Sequence, residues 1–227
     1  MLTLIFGGGV MWLCLDIRGD YACFTRPEMK VERVSYEIIT PSAARSIFES
    51  ILWRPSFRWV IKKIDVINPI SWINFNRNEL KNKLSYQKVS HAMTTGYGYL
   101  GQQIEDERQQ RACLILKNVR YRIYASIALT REASSEDSIS KFSSMFIRRA
   151  KKGQCINQPY LGCREFTCAF ELVTEFAESD PVSDITKDLG MILYDMNYNS
   201  HQQLEPVFFH GQIFRGVVLI PEMNMLV

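Results

Sequence analysis

The side chains able to do chemistry in this chain are cations set among aromatic rings. From Lys141 to Lys152 there are five bases (Lys141, Arg148, Arg149, Lys151, Lys152) and no acid. Arg54, Arg58, Lys62 and Lys63 alternate with Phe57 and Trp59, while Arg77, Lys81, Lys83 and Lys88 follow Trp72 and Phe75. Cations neutralise phosphates and flat rings stack on bases, so the pattern suits a nucleic-acid surface. Solvated charged faces whose aromatics fill the core produce the same pattern, and composition alone leaves both readings open.

Other chemistries lack their residues. The six cysteines (Cys14, Cys23, Cys113, Cys155, Cys163, Cys168) contain no C-x-x-C, which removes zinc-ribbon and thioredoxin-type pairs. Buried free thiols in a reducing cytoplasm are expected. The three histidines are His91, His201 and His210. No metal and no cofactor is expected.

At 227 residues and 26.4 kDa, with 47% hydrophobic residues, the chain is long enough to bury roughly 70% of its unfolded surface. With 12 Gly and 8 Pro it is neither collagen-like nor low-complexity. The formal charge of +3 conceals a segregated distribution. Six acids and one base lie between Glu171 and Asp188, so that stretch carries −5 and the remainder +8. The apolar run from Met1 to Ile17 has no leading base, is interrupted by Gly7, Gly8 and Gly9, and is closed by Asp16. It falls short of the roughly 20 residues of a bilayer span, so a cytoplasmic protein with a loose leader over residues 1–10 and a buried first strand is expected.

The elements that must position the cations follow from periodicity. Trp12–Ile17 and Arg33–Ile39 read as strands, the second with Val34, Tyr36 and Ile38 on one face. Thr40-Pro41 caps a helix over Ser42–Trp53, whose Ala44, Ile47, Phe48 and Ile51 recur at helical spacing, and Pro55 ends it. Phe57–Ile67 reads as a strand. Residues 74–111 show no sustained period and predict a long excursion. Ala112–Leu129 is a long strand, with Val119, Tyr121, Ile123, Ala125, Ile127 and Leu129 on its buried face. Arg120, Arg122 and Tyr124 lie on an open cationic and aromatic face. A second helix over Ser138–Lys152 turns Phe142, Met145, Phe146 and Arg149 inward and is stopped by Gly153. Gly162–Leu172 is a strand, and Met191–Tyr194, Val207–His210 and Val217–Ile220 predict a short meander. The class is α+β: a ferredoxin-like (RRM-type) domain over 11–172 with a long β-hairpin/loop excursion at 74–111. An acidic linker over 173–188 and a small antiparallel β-sheet domain over 189–227 follow.

Four blocks carry a resemblance to a known family. They are Gly19 to Ile70, NFNRNE (Asn74 to Glu79), QRACLILKNVRYRI (Gln110 to Ile123) and FIRRAKKGQCINQPYLGCREF (Phe146 to Phe166). Together they resemble the CRISPR-associated Cas-five family, in its subtype I-C branch, over nearly all of Met11 to Pro221. The resemblance implies an endoribonuclease that cleaves precursor CRISPR RNA within its repeat. Such a protein remains on the 5′ handle of the guide beside the backbone and large subunits of a type I-C Cascade complex, and meets target DNA indirectly through that complex. The implied chemistry is metal-independent: a ribose 2′-hydroxyl attacks the neighbouring phosphate and leaves a 2′,3′-cyclic phosphate. It needs a base, a cation beside the phosphorane and an acid.

In this branch those tasks are associated with a Tyr at the end of the first helix and a Lys-His pair opening the second. The matching positions are Leu52, Lys141 and Phe142. Only the lysine is kept, since leucine and phenylalanine transfer no proton. Tyr36 and His91 are the candidate substitutes, and His201 and His210 are expected to be structural or surface residues. Expected RNA contacts are Arg26, Lys30 and Arg33 near the first strand, then Arg120, Arg122 and Tyr124 on the sheet. Arg148, Arg149, Lys151 and Lys152 on the second helix are expected contacts too. The last pair reads equally as a C-cap with bases at the negative end of the dipole. Arg164, beside Gly162, reads as a handle contact or part of a bulge. Trp53 and Pro55 are expected to seal the helix end by packing. A non-catalytic subunit that binds guide RNA and docks its neighbours is the alternative, and an RNA binder unconnected with CRISPR is a third reading.

Overall fold

The computed structural model describes residues 5–7, 10–174, 183–198 and 204–222. An antiparallel sheet is built around β2 (Val10–Ala22) and β5 (Arg108–Leu129), paired from Leu13↔Ala125 to Ala22↔Leu116. Beyond β2 lies β6 (Ala169–Val173); beyond β5 lies β3 (Phe57–Val66), and then β9 (Val217–Leu219), giving the order β6-β2-β5-β3-β9. A short β1 (Ile5–Gly7) pairs with the start of β2, and β4 (Trp72–Leu80) pairs with the first half of β5. A separate two-stranded sheet joins β7 (Lys187–Tyr198) to β8 (Leu204–Ile213).

Two helices cover the apolar face of the sheet. In α1 (Pro41–Ile51) the Thr40 hydroxyl accepts from the Ala43 N–H, Pro41 occupies the first turn where no donor is needed, and Ala44, Ile47, Phe48 and Ile51 are buried. In α4 (Ile139–Lys151) Ser138 caps the Lys141 N–H at 3.2 Å, and Phe142, Ser143, Phe146 and Ala150 face inward. The helices meet through aromatic rings: Phe48 stacks on Phe146 at 5.3 Å, Trp59 reaches Phe146 at 4.6 Å, and Phe57 reaches Phe142 at 4.7 Å. This cluster also takes in Ile192, Phe209 and Ile213 of the β7–β8 pair, so both sheets share one core.

Three sequence expectations are corrected and one, the excursion over 74–111, gains detail. Arg33–Ile39 is extended but forms only isolated bridges, Thr25↔Ser35 and Val34↔Leu114. Its alternation fails because Ser35, Tyr36, Ile38 and Ile39 are all buried; the Ser35 hydroxyl accepts from the Phe24 N–H and donates to the Tyr36 carbonyl. Residues 74–111 are ordered as β4, α2 (Tyr86–Thr95), α3 (Ile104–Glu107) and the opening of β5. The strand was hidden because its half-buried positions Phe75, Arg77 and Glu79 are mostly charged, so no apolar period marks them. Of Gly162–Leu172 only the end belongs to a strand, since Gly162 at φ +85° turns the chain. The expected meander splits: β7 and β8 pair together, whereas β9 leaves them to extend the main sheet beside β3.

Candidate nucleic-acid interface

The open face expected on β5 is an ion-pair network. Asp16 on β2 sits opposite Arg122 in the ladder and receives both Arg120 and Arg122: Arg120 donates through Nε and Nη2 at 2.9 Å each, and Arg122 through Nε at 3.3 Å. Tyr124 is only 3% exposed, with Lys63 Nζ 3.8 Å from its ring centroid and Asp65 hydrogen-bonded to its hydroxyl. Burial raises that phenol far above its ordinary value. A buried ring covered by a lysine presents no free face for base stacking, so the cations left to solvent here are the partly exposed Arg120 and Arg18, its partner in the ladder.

The second helix is more accessible. Arg148, Lys151 and Lys152 are exposed, and Gly153 in a left-handed conformation ends the helix immediately after them. Arg149 points inward instead and donates to the Ile51 carbonyl at 2.9 Å, closing the end of α1. At the other end of α4, Lys141 Nζ lies 3.1 Å from Asp137 Oδ1 and 3.4 Å from the Glu136 carbonyl. The Ser134 N–H, Lys141 and the Ser134 hydroxyl hold the Asp137 carboxyl down to about 2, so it stays ionised at neutral pH. Asp137 was not singled out from sequence, although its place four residues before Lys141 at a helix start is a readable signal.

The two expected proton-transfer positions are structural. Leu52 is fully buried at the end of α1; its N–H bonds the Phe48 carbonyl and its carbonyl accepts from Trp59 Nε1 at 2.9 Å. Phe142 is 3% exposed and packed on Phe57. Of the substitutes, Tyr36 is buried beneath the Arg26 guanidinium, 4.6 Å from its ring, and desolvation raises its phenol. His91 lies on α2, where no residue is buried, edge-on to Tyr97. His210 is exposed beside Asp188, and His201 lies outside the described residues.

The remaining cations divide by location. Arg26 pairs with Glu28 at 3.9 Å, and Lys30 and Arg164 are exposed. Arg33 donates to Cys163 Sγ at 3.3 Å and reaches Glu79 at 3.7 Å. Glu79 also takes Arg77 and Arg111, so three guanidinium groups gather near the far end of the β4–β5 ladder around one carboxylate. Trp53 does not seal the helix end: its ring is 57% exposed. Among the described residues no cluster of His, Cys, Asp and Glu could hold a metal ion, and no helix is long and apolar enough to cross a membrane.

Residues 12–217 match the family described as CRISPR-associated protein (Cas_Cas5). A protein of Mannheimia succiniciproducens named CRISPR pre-crRNA endoribonuclease Cas5d is 46% identical over 215 residues, covering 91% of this chain and 93% of its own. A Thermus thermophilus protein of the same name is 35% identical over 226 residues, covering 92% and 91%. Among solved structures, a CRISPR-associated protein superposes with a TM-score of 0.67 at 20% identity, covering 93% of this chain and 92% of its own. A functionally uncharacterised protein from Streptococcus mutans does so at 0.65, with the same identity and coverage. These last two share the fold.

Proposed function

The chain belongs to the CRISPR-associated Cas5 family, and from that membership we propose that it is a pre-crRNA endoribonuclease. It cuts the repeat and then stays on the 5′ handle of the guide as a subunit of a type I-C Cascade complex. The observation that carries this reading is the 46% identity with a Cas5d endoribonuclease across nine-tenths of the chain. The strand order β6-β2-β5-β3 with α1 and α4 as the two crossovers supports a ferredoxin-like, RRM-type domain over residues 11–172. In the same reading residues 173–188 are a linker and 189–227 a companion sheet whose last strand returns to β3.

The reaction forms a bond from O2′ to phosphorus and breaks the bond from phosphorus to O5′. A proton leaves O2′ and one arrives at O5′. Lys141, at the start of α4, supplies positive charge to the phosphorane. Leu52 and Phe142 supply no proton transfer, and each such role is worth about 10²–10⁴ in rate. Catalysis therefore rests on in-line positioning of the 2′-oxygen and on charge, without a metal ion. Arg148, Lys151 and Lys152 hold the flanking phosphates, with Arg26, Lys30, Arg33, Arg120 and Arg164 as further contacts.

The burial of Leu52 and Phe142 favours one second reading, a guide-binding assembly subunit that does not cut. Incubating the purified chain with a labelled cognate repeat in EDTA separates the two. A single cut leaving a 2′,3′-cyclic end supports the endoribonuclease; tight, salt-sensitive binding without a cut supports the assembly subunit.

A further inference from the structure

A cleft of about 370 Å³ opens beside the end of α1, between its outer face and the loop that follows α4. Its walls include Glu49, Ser50, Trp53, Asn157, Pro159 and Tyr160. Two aromatic rings stand open on opposite walls: Trp53 is 57% exposed and Tyr160 42%. The contrast with Trp59 is informative: that indole is buried and donates to the Leu52 carbonyl, whereas the Trp53 Nε1, the Asn157 carboxamide and the Tyr160 hydroxyl have no hydrogen-bond partner among the described residues.

The walls are fixed by the backbone. The Ile156 N–H donates to the Ser50 carbonyl at 2.7 Å, Gln158 Nε2 to the Cys168 carbonyl at 3.2 Å, and the Cys168 N–H to the Pro159 carbonyl at 3.0 Å. Tyr160 forms a bridge with Thr167. Such a cleft is pre-formed and does not have to be ordered by its ligand. Along the chain, the exposed Lys151 and Lys152 precede the loop that forms one wall and the exposed Arg54 follows Trp53 on the other. Glu49 bonds Arg45 through Oε1 at 3.4 Å, which leaves Oε2 as an acceptor.

We propose that this cleft holds one unpaired RNA base, seated against Trp53 and Tyr160 with its amino edge toward Glu49 and Asn157 and its phosphates on Lys151 and Lys152. Rings accept any base face, the acceptor-only carboxylate selects for an amino group, the carboxamide adds one donor or acceptor beside it, and the lysines hold the backbone. This site rests on the proposed function and supplies its sequence preference.

The test titrates fluorescein-labelled single-stranded repeat RNA onto the full chain in EDTA at several salt concentrations. Trp53→Ala and Tyr160→Ala are each expected to weaken binding by roughly 5- to 150-fold, the range for loss of one stacked base. The slope of log affinity against log salt stays unchanged because no phosphate contact is lost. Trp53→Phe, which keeps a ring, retains most of the affinity. Both side chains are exposed, so the variants should keep the parent melting temperature. Unchanged affinity in both alanine variants, or a loss that appears as a shallower salt slope, overturns the base site and leaves the proposed function standing. If the unaltered chain binds no RNA at any salt concentration, the proposed function itself fails.

Discussion

Lys141 is the one residue at the expected catalytic positions that both carries charge and reaches solvent, and its partner is Asp137 at 3.1 Å. Lys141→Ala should slow repeat cleavage by about 10²–10³, the usual cost of one preorganised charge contact, in single-turnover assays with EDTA. An unchanged rate removes the lysine from the mechanism. Asp137 offers a separate check through pH. Its folded pKa of about 2 lies below the ordinary aspartate value, so its tie to Lys141 is complete above that ordinary value and is lost only as pH falls through about 2. Asp137→Asn should therefore change the cleavage rate by the same factor at every pH from 5 to 8. A new inflection in that interval would mean that the carboxyl transfers a proton. Phe142 shows why the roles of its neighbours cannot be restored simply. A histidine there would place a polar ring against Phe57 inside the aromatic cluster, where burial penalises its charged form.

At the scale of elements, the hairpin formed by β4 and β5 has a firm base and an unsupported end. Its ladder continues to Leu80↔Arg108, and the Lys81 N–H still reaches the Glu107 carbonyl at 2.7 Å. Beyond that, neither α2 nor α3 buries a residue, while Tyr86, Met93, Tyr97 and Tyr99 are all largely exposed. Replacing residues 83–105 with a short Gly-Ser turn should leave the urea midpoint nearly unchanged, since closing a shorter loop alters the free energy by only about 1 kcal/mol or less. A loss of more than about 2 kcal/mol would show that the tip packs against the body. The sequence marked this segment as a hairpin/loop excursion without placing its strands or helices. Its inner face is held by Arg77, Arg111 and Glu79 rather than by apolar side chains, and alternation of charges gives no hydrophobic period.

For the molecule as a whole, a net charge of +3 is too small to drive RNA binding, but its distribution is not. The exposed cations Arg148 and Lys151 lie on the solvent side of α4, away from the aromatic core. Each phosphate contact on a single strand contributes about 0.7 to the slope of log affinity against log salt. Arg148→Gln combined with Lys151→Gln should therefore lower that slope by about 1.4, with little effect on stability. An unchanged slope would place the RNA elsewhere. Arg122 should behave differently from this pair, because its guanidinium is already committed to Asp16.

The sequence by itself determined the two helices, the long central strands and the family. Apolar spacing, a Thr-Pro cap and a glycine stop are local signals, and the four matching blocks need no knowledge of contacts. Tertiary structure alone decided which of the expected site residues are held by partners within the fold and which stand exposed. Arg120 meets an aspartate 104 positions away, Arg33 a cysteine 130 positions away, and β9 crosses back to β3. Trp53, which its sequence context assigns to packing, stands open beside Tyr160 instead. The reason is physical: periodicity records which side of an element is apolar. What a polar side chain finds opposite it depends on which distant strand the fold sets alongside.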